Sequence, residues 1–157
     1  SPTDRAFVAE MIPHHHLGMA LIDEATTRSY DVRLRRLVFE MSGYHTSQLE
    51  SLSRWSSDHR IESAESFPGS ITADEFAGLG RASGPLHDVR WLDLMIRHHR
   101  GAVSMARTER AAGRVAAVRD LASVTDRVQS AEIDAMVRLR TELCSETTDA
   151  AVIASCR

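Results

Sequence analysis

The 157-residue chain is 43% hydrophobic and has no apolar run near the length of about 18 residues that a membrane-spanning helix needs, which predicts one globular domain over 1–157 and no span. Its 19 basic and 22 acidic residues give a formal net charge of -3, which argues against nucleic acid as a partner. Eight His and six Met stand beside only two Cys, an unusual supply of imidazole and thioether groups.

The first predicted helix opens a sequence repeat. DRAFVAEMIPHHH at 4–16 aligns with DVRWLDLMIRHHR at 88–100, and the offset of 84 continues without a gap into the helices that follow. Ser1, Pro2 and Asp4 form a helix-start signal, after which apolar residues recur at helical spacing. The repeat predicts two copies of one helical hairpin.

A linker rich in Gly and Pro separates the two copies. Within it, Thr72 and Glu75 form a capping box that predicts a short helix at about 73–79. Pro13, inside the first helix, predicts a kink near Ala9 because proline lacks a backbone N–H. The predicted units are repeat 1 at about 1–57, linker 58–85, repeat 2 at about 86–143 and a tail at 144–157. The long helices are predicted at about 2–28, 31–57, 86–112 and 115–143.

Two helical hairpins with short loops, joined by a long connection, have the topology of a ferritin-like four-helix bundle with one crossover. No strand pattern competes with the helical one. The predicted fold class is therefore all-α.

Both copies of the motif direct Met and His toward the bundle interior. On a helical wheel, Met11 lies on the buried stripe with His14 and His15 on either side of it. His16 falls near the opposite face and is predicted to be solvated. The second copy repeats the inward set with Met95, His98 and His99.

The partner helices add polar residues at the same height. Counting outward from the tight turns places His15 level with His45 and His99 level with Gln129. The same count puts Met11 near Gln48 and Met95 near Glu132. A polar layer is therefore predicted to cross an otherwise aliphatic bundle, with Gln48, Gln129 and Glu132 orienting the imidazoles.

Such a layer is costly to bury unless its groups find partners, at about 1 to 3 kcal/mol for each unsatisfied group. It is either a hydrogen-bonded network or a metal centre, and four His with two Met repeated at one offset favour metal. Thioether and imidazole together favour copper, Cu(I) or Cu(II), with other transition metals as alternatives. Zinc sites typically use Cys or a tight set of His and carboxylates, and di-iron bundles use Glu-x-x-His, which does not occur here.

The two motifs, MIPHHHLGMA and MIRHHRGAVSMA, resemble the paired signature of domain of unknown function family 305, over nearly the whole chain. The resemblance implies a ferritin-like helical fold, export from a bacterial cell, and copper or other metal binding. Carried over residue by residue, it implies a ligand set of Met11, His14, His15, Met95, His98, His99 and Met105.

The first copy departs from the family pattern. Leu21 stands where the second copy has Met105, although Met19, one turn after His15, is an alternative thioether. Second helices of the family usually carry Gln followed three residues later by Glu. Gln129 and Glu132 keep this pattern, whereas the first copy has His45 and Gln48, which makes His45 an added candidate ligand.

The remaining sulfur and imidazole groups are predicted to be structural. Cys144 and Cys156, 12 positions apart, are predicted to form a disulfide that pins the tail, with two free thiols as the alternative. Met41 and Met136 are expected to fill the core. His59 and His87, at the edges of the linker, are predicted to lie on the surface. The acidic pair Asp23–Glu24 is expected to be solvated.

The leading hypothesis is a metal-binding protein that sequesters or hands on copper in a secreted, cell-surface or periplasmic location, without turnover. Its expected partners are the metal ion and a protein that donates or accepts it. A metal-dependent oxidase or reductase in the same core is the enzymatic alternative. A structural or sensory bundle with a hydrogen-bonded histidine layer is the third.

Overall fold

The computed structural model describes all 157 residues, which form six helices and no strand. The helices are α1 Pro2–Arg28, α2 Val32–His59, α3 Ala73–Arg81, α4 Gly84–Ala112, α5 Ala116–Glu146 and α6 Ala150–Ser155. α1 packs against α2 and α4 against α5, α1 and α4 join the two hairpins, and α2 touches α5 only slightly. The predicted all-α four-helix bundle is confirmed. None of these helices combines the length and apolar composition that a membrane-spanning segment requires.

α1 begins at the predicted cap and continues through its proline. The Ser1 hydroxyl accepts the Asp4 N–H while the Asp4 carboxylate accepts from the Ser1 nitrogen, a capping box. Pro13 has no N–H to offer the Ala9 carbonyl. That carbonyl instead accepts the N–H of Ala64 in the linker at 2.9 Å. The vacant acceptor in α1 thus becomes a point where the linker attaches.

The aligned aspartates Asp4 and Asp88 make equivalent contacts at opposite ends of the bundle. Asp4 accepts the backbone N–H groups of Arg114 and Val115, each at 3.0 Å, where α5 begins. Asp88 accepts those of Tyr30 at 3.1 Å and Asp31 at 2.7 Å, where α2 begins. Each copy of the motif therefore holds the hairpin turn of the other copy.

Two apolar clusters lie along the bundle. One surrounds Trp91, whose indole N–H donates to the Leu21 carbonyl at 2.7 Å, and it includes Met41 and Met136 as core residues. The other is built around Phe7 and Val8. Residues from both clusters flank the buried histidines of α1 and α4, which leaves the polar layer between them.

The C-terminal segment is more ordered than a tail that lacks a core pattern. α5 runs on to Glu146, and the short helix α6 follows, capped by the Asp149 side chain. Val152 of α6 is buried against the first apolar cluster, and a disulfide joins Cys144 to Cys156. Val152 and the disulfide hold this segment in place. The segment is too short for helical periodicity in the sequence to predict its structure.

The prediction that His87 lies on the surface is wrong. α4 begins at Gly84, two residues earlier than expected, and His87 lies inside it one turn before the buried Trp91, where it is fully buried itself. Its Nδ1 lies 3.1 Å from an oxygen of Asp88 and its Nε2 lies 3.7 Å from an oxygen of Glu24. Glu24 is consequently half-buried rather than solvated, whereas Asp23 and His59 are exposed as predicted.

Candidate metal centre

Five histidines form a layer that is closed to solvent. They are His14 and His15 on α1, His45 on α2, and His98 and His99 on α4, each with no exposed surface. The ring centres of His15 and His45 are 5.3 Å apart and those of His45 and His99 are 5.4 Å apart. His14 and His98 stack face to face, with centres 3.6 Å apart and planes 12° from parallel. The histidines thus face inward as predicted, and imidazole rings from α1, α2 and α4 contact one another in the layer.

Gly18 leaves the room that two of these rings occupy. A Cβ on Gly18 would lie 3.1 Å from the Nε2 atom of His98 and 3.6 Å from that of His45. Both nitrogens therefore approach one point on α1, from α4 and from α2. A larger residue on α1 at this position would stand between them.

The hydrogen bonds of His45 and His98 leave these same nitrogens free. Nδ1 of His45 lies 3.1 Å from the Met41 carbonyl, and Nδ1 of His98 lies 3.1 Å from the Gly69 carbonyl. Because a carbonyl only accepts, each Nδ1 carries the proton and each Nε2 keeps its lone pair. Neither Nε2 has a hydrogen-bond partner. A second ring N–H fixed by a backbone carbonyl is the usual arrangement of a metal-binding histidine.

His14 and His99 each have one further free nitrogen. His14 donates through Nε2 to the His98 carbonyl at 2.9 Å, and His99 donates through Nε2 to the Glu132 carboxylate at 2.9 Å. Nδ1 of His14 has no partner, and Nδ1 of His99 makes no close hydrogen bond, although the Met95 carbonyl one turn earlier lies on its side of the ring. The layer therefore holds four unpartnered ring nitrogens.

His15 differs from the other four because an oxygen lies beside each of its nitrogens. Nδ1 lies 3.0 Å from the Met11 carbonyl and Nε2 lies 2.8 Å from the side-chain oxygen of Gln48. The Gln48 amide in turn donates to the Thr125 hydroxyl at 2.6 Å. The neutral ring has a single N–H and donates to only one of these oxygens, but an oxygen covers each nitrogen, whereas the sequence places His15 on the same footing as His14.

Burial keeps the whole layer uncharged. Loss of hydration, reinforced by neighbouring imidazoles, lowers the pKa of His15 and of His98 to about 3 and that of His45 to about 4. Burial also lowers the pKa of His99 to about 3 and holds that of His14 well below its usual value. At neutral pH the free nitrogens present lone pairs, as metal binding requires.

The predicted orienting residues divide into two kinds. Gln48 contacts His15, and Glu132 contacts His99. Each contact lies about one helical turn further along the partner helix than the predicted pairing of His15 with His45 and of His99 with Gln129. The shift follows from helix geometry, because side chains on antiparallel helices lean toward their own N-termini and so meet with an offset. Gln129 is fully buried, and neither its oxygen nor its nitrogen has a partner.

The candidate thioethers lie among apolar side chains. Met11 and Met105 belong to the cluster around Phe7, and Met95 belongs to the cluster around Trp91. Met19 is half-buried, with its sulfur 3.9 Å from the Thr46 hydroxyl. No group of three or more His, Cys, Asp and Glu side chains is arranged to hold a metal ion. In-plane lone pairs of two stacked rings cannot meet at one ion, so binding by both His14 and His98 requires one ring to turn.

The crossover linker covers this layer, which the sequence did not indicate. The rings of Phe67 and His14 meet edge to face, with centres 5.6 Å apart and planes at 69°. Gly69, two residues on, supplies the carbonyl that His98 contacts. The available signal was Gly101, two residues after His99, because a glycine inside a helix often marks a close backbone approach.

The family described as a domain of unknown function, DUF305, matches residues 4–140. The chain belongs to the DUF305 family. The resemblance seen in the two histidine motifs is thereby confirmed. No curated protein matches the chain at a significant level.

Several solved structures share the fold, among them two of DUF305 proteins. One, from Streptomyces coelicolor and described as a candidate secreted protein, is 26% identical, with 90% of this chain and 92% of that chain covered and a TM-score of 0.84. A DUF305 fragment from Deinococcus radiodurans is 24% identical, with 90% and 97% covered and a TM-score of 0.82. CopM in its Cu(I)-bound form is 21% identical, with 88% and 96% covered and a TM-score of 0.77. CopM also has Cu(II)-bound and Ag-bound forms.

Proposed function

We propose that this DUF305 chain binds copper and sequesters it or hands it on in a compartment outside the cytoplasm. The observation that carries the proposal is the set of four uncharged, unpartnered ring nitrogens, from His14, His45, His98 and His99, in one closed layer. Leaving each of them unsatisfied costs about 1 to 3 kcal/mol, so packing alone does not account for them. A bound transition metal would use the lone pairs that the protein leaves free.

His45 and His98 form the proposed first contact with the ion. Their Nε2 atoms both approach Gly18, and backbone carbonyls fix both rings. His14 and His99 would complete the imidazole set once their Nδ1 atoms turn toward the same region. His15, with both nitrogens occupied, is proposed to support the site together with Gln48, Gln129 and Glu132.

Copper is the proposed metal because imidazole and thioether ligands together suit it. Met11, Met19, Met95 and Met105 are the proposed thioether donors, and they lie on the same two helices as His14 and His98. The likeness in fold to CopM, which has Cu(I)-, Cu(II)- and Ag-bound forms, supports the choice.

A location outside the cytoplasm is supported by two observations. The disulfide between Cys144 and Cys156 is of the kind that persists in oxidising compartments. The similar Streptomyces coelicolor protein is described as a candidate secreted protein.

A purely structural layer is the second candidate function. It is favoured by the occupied nitrogens of His15 and by the stacking of His14 on His98, which together resemble a packed polar core. In that case the layer would contribute to stability and to pH response, and purified protein would contain metal only at background level.

Titration calorimetry with Cu(II), and competition against a Cu(I) chelator, would separate the two candidates. The test variant is His45→Gln with His98→Gln, and the matched control is His16→Gln with His59→Gln, which changes two exposed histidines. Copper binding should be tight in the wild type and control and should weaken by at least about tenfold, or 1.4 kcal/mol, in the test variant. Wild-type binding weaker than about micromolar, or equal binding by both variants, would exclude the copper proposal.

A further inference from the structure

The crossover linker meets α4 backbone to backbone. A Cβ on Gly101 would lie 2.2 Å from the carbonyl oxygen of Pro68 and 2.7 Å from the nitrogen of Gly69. A Cβ on Gly69 would lie 2.7 Å from the His98 carbonyl oxygen, and Gly69 also has a φ of +79° that favours glycine. Two glycines, one on each side, therefore permit this contact.

Only one of the two motif copies can accept the linker in this way. Gly101 aligns with Leu17 of the first copy at the offset of 84 that also relates His14 to His98. A leucine side chain on α1 would occupy the space that the linker backbone takes on α4. The linker consequently covers the second copy of the motif, and it contacts the first through the Ala64–Ala9 backbone hydrogen bond and the ring contact of Phe67 with His14.

The contact decides which nitrogen of His98 is free. The Gly69 carbonyl lies 3.1 Å from Nδ1 of His98, so it accepts the Nδ1 proton and Nε2 retains the lone pair. With the linker displaced, Nδ1 would lose this acceptor and the ring could carry its proton on either nitrogen. Nε2 is the atom that faces Gly18 beside Nε2 of His45.

We infer that Gly69 and Gly101 are positioning residues of the metal centre, and that the linker docked through them presents Nε2 of His98 to the ion. This inference rests on the proposed function, since it concerns the same site. Linker docking then raises the affinity for the metal, and metal binding stabilises the docked linker by the same free energy, because both involve the ring of His98.

The test compares Gly101→Ala with Gly43→Ala. Both replace a glycine inside a helix, but a Cβ on Gly43 meets nothing within 4 Å. The ¹⁵N chemical shifts of His98 in metal-free protein report its tautomer, and copper titration reports affinity. Wild type and Gly43→Ala should show the Nδ1-protonated ring and equal affinity. Gly101→Ala should lose the single tautomer and bind copper about ten- to a hundredfold more weakly.

Phe67→Ala provides a second variant in case Gly101→Ala does not fold, because it loosens the linker without introducing a clash. It should shift the His98 tautomer in the same direction. An Nε2-protonated His98 in the wild type, or an unchanged tautomer and affinity in folded Gly101→Ala, would overturn the inference. Absence of copper binding by the wild type would instead overturn the proposed function, since the tautomer is measured without metal.

Discussion

The two copies of the motif carry the same His-His pair but hold it in different surroundings. In the first copy, His15 bonds a neutral amide, Gln48, and α2 adds His45 to the layer. In the second copy, His99 bonds the carboxylate of Glu132, and Gln129 stands where the first copy has His45. The second His of each pair therefore has a different role: His99 keeps a free Nδ1, whose basicity the carboxylate partner raises, whereas oxygens cover both nitrogens of His15.

Acidification should produce the largest effect, since it acts on both copies together. The folded pKa values of His15, His45 and His98 are about 3 to 4, well below the value of about 6.5 in an unfolded chain. The unfolded state therefore binds more protons as pH falls below 6.5, and the free energy of unfolding decreases by on the order of 2 kcal/mol per imidazole at pH 5; the protonation of Glu132, whose pKa is raised to about 7, offsets only part of this loss. Denaturant unfolding at pH 7.5 and pH 5 measures this. A free energy that does not change between these two values would contradict it.

Removing the paired aspartates should have the next largest effect. Asp4→Ala leaves two backbone N–H groups without an acceptor. Asp88→Ala does the same to two others and also removes the partner of buried His87. We expect a loss of about 2 to 4 kcal/mol of stability for each, greater for Asp88→Ala. Thermal or denaturant unfolding measures the loss, with exposed Asp23→Ala as the control. Equal and small losses in all three would refute the role assigned to these caps.

His45→Gln gives the first copy the residue that the second copy has at this position. Copper affinity should fall by about tenfold because one free nitrogen is lost. The pH dependence of stability should also weaken by about one proton between pH 6.5 and pH 4, because burial lowers the pKa of His45 to about 4. Calorimetry and unfolding curves test the two effects separately. An unaltered pH slope would show that His45 is not the buried neutral group described.

Glu132→Gln gives the second copy the amide that the first copy uses, and should have the smallest effect. Burial raises the pKa of Glu132 to about 7. Ionising this carboxylate therefore costs stability as pH rises from about 4.5 through 7, and the variant should gain stability relative to wild type above pH 7 and not below pH 4.5. Copper affinity should decrease modestly, within about tenfold. Unfolding at pH 4.5 and pH 8 provides the measurement, and the same difference at both would contradict the prediction.

Much of the fold and of the layer followed from periodicity. The offset of 84 and the helical spacing located the four long helices and directed His14, His15, His98 and His99 inward. Properties that depend on packing between distant segments did not follow. The burial of His87 depends on its packing beside Glu24 of α1, and the bond from His99 to Glu132 depends on the lean of side chains across a hairpin. The linker contact depends on a glycine whose partner lies 32 residues earlier, at Gly69.

Pro13 has a consequence for the order in which the molecule assembles. The backbone of the linker contacts two helices. On α1 it donates to the Ala9 carbonyl, which receives no N–H from Pro13, and on α4 it packs against Gly101. Each contact requires its helix to be formed. The linker can make both contacts only after α1 and α4 have packed together. We therefore expect the histidine layer to remain open to solvent and ions while the hairpins fold, and to close as the last step.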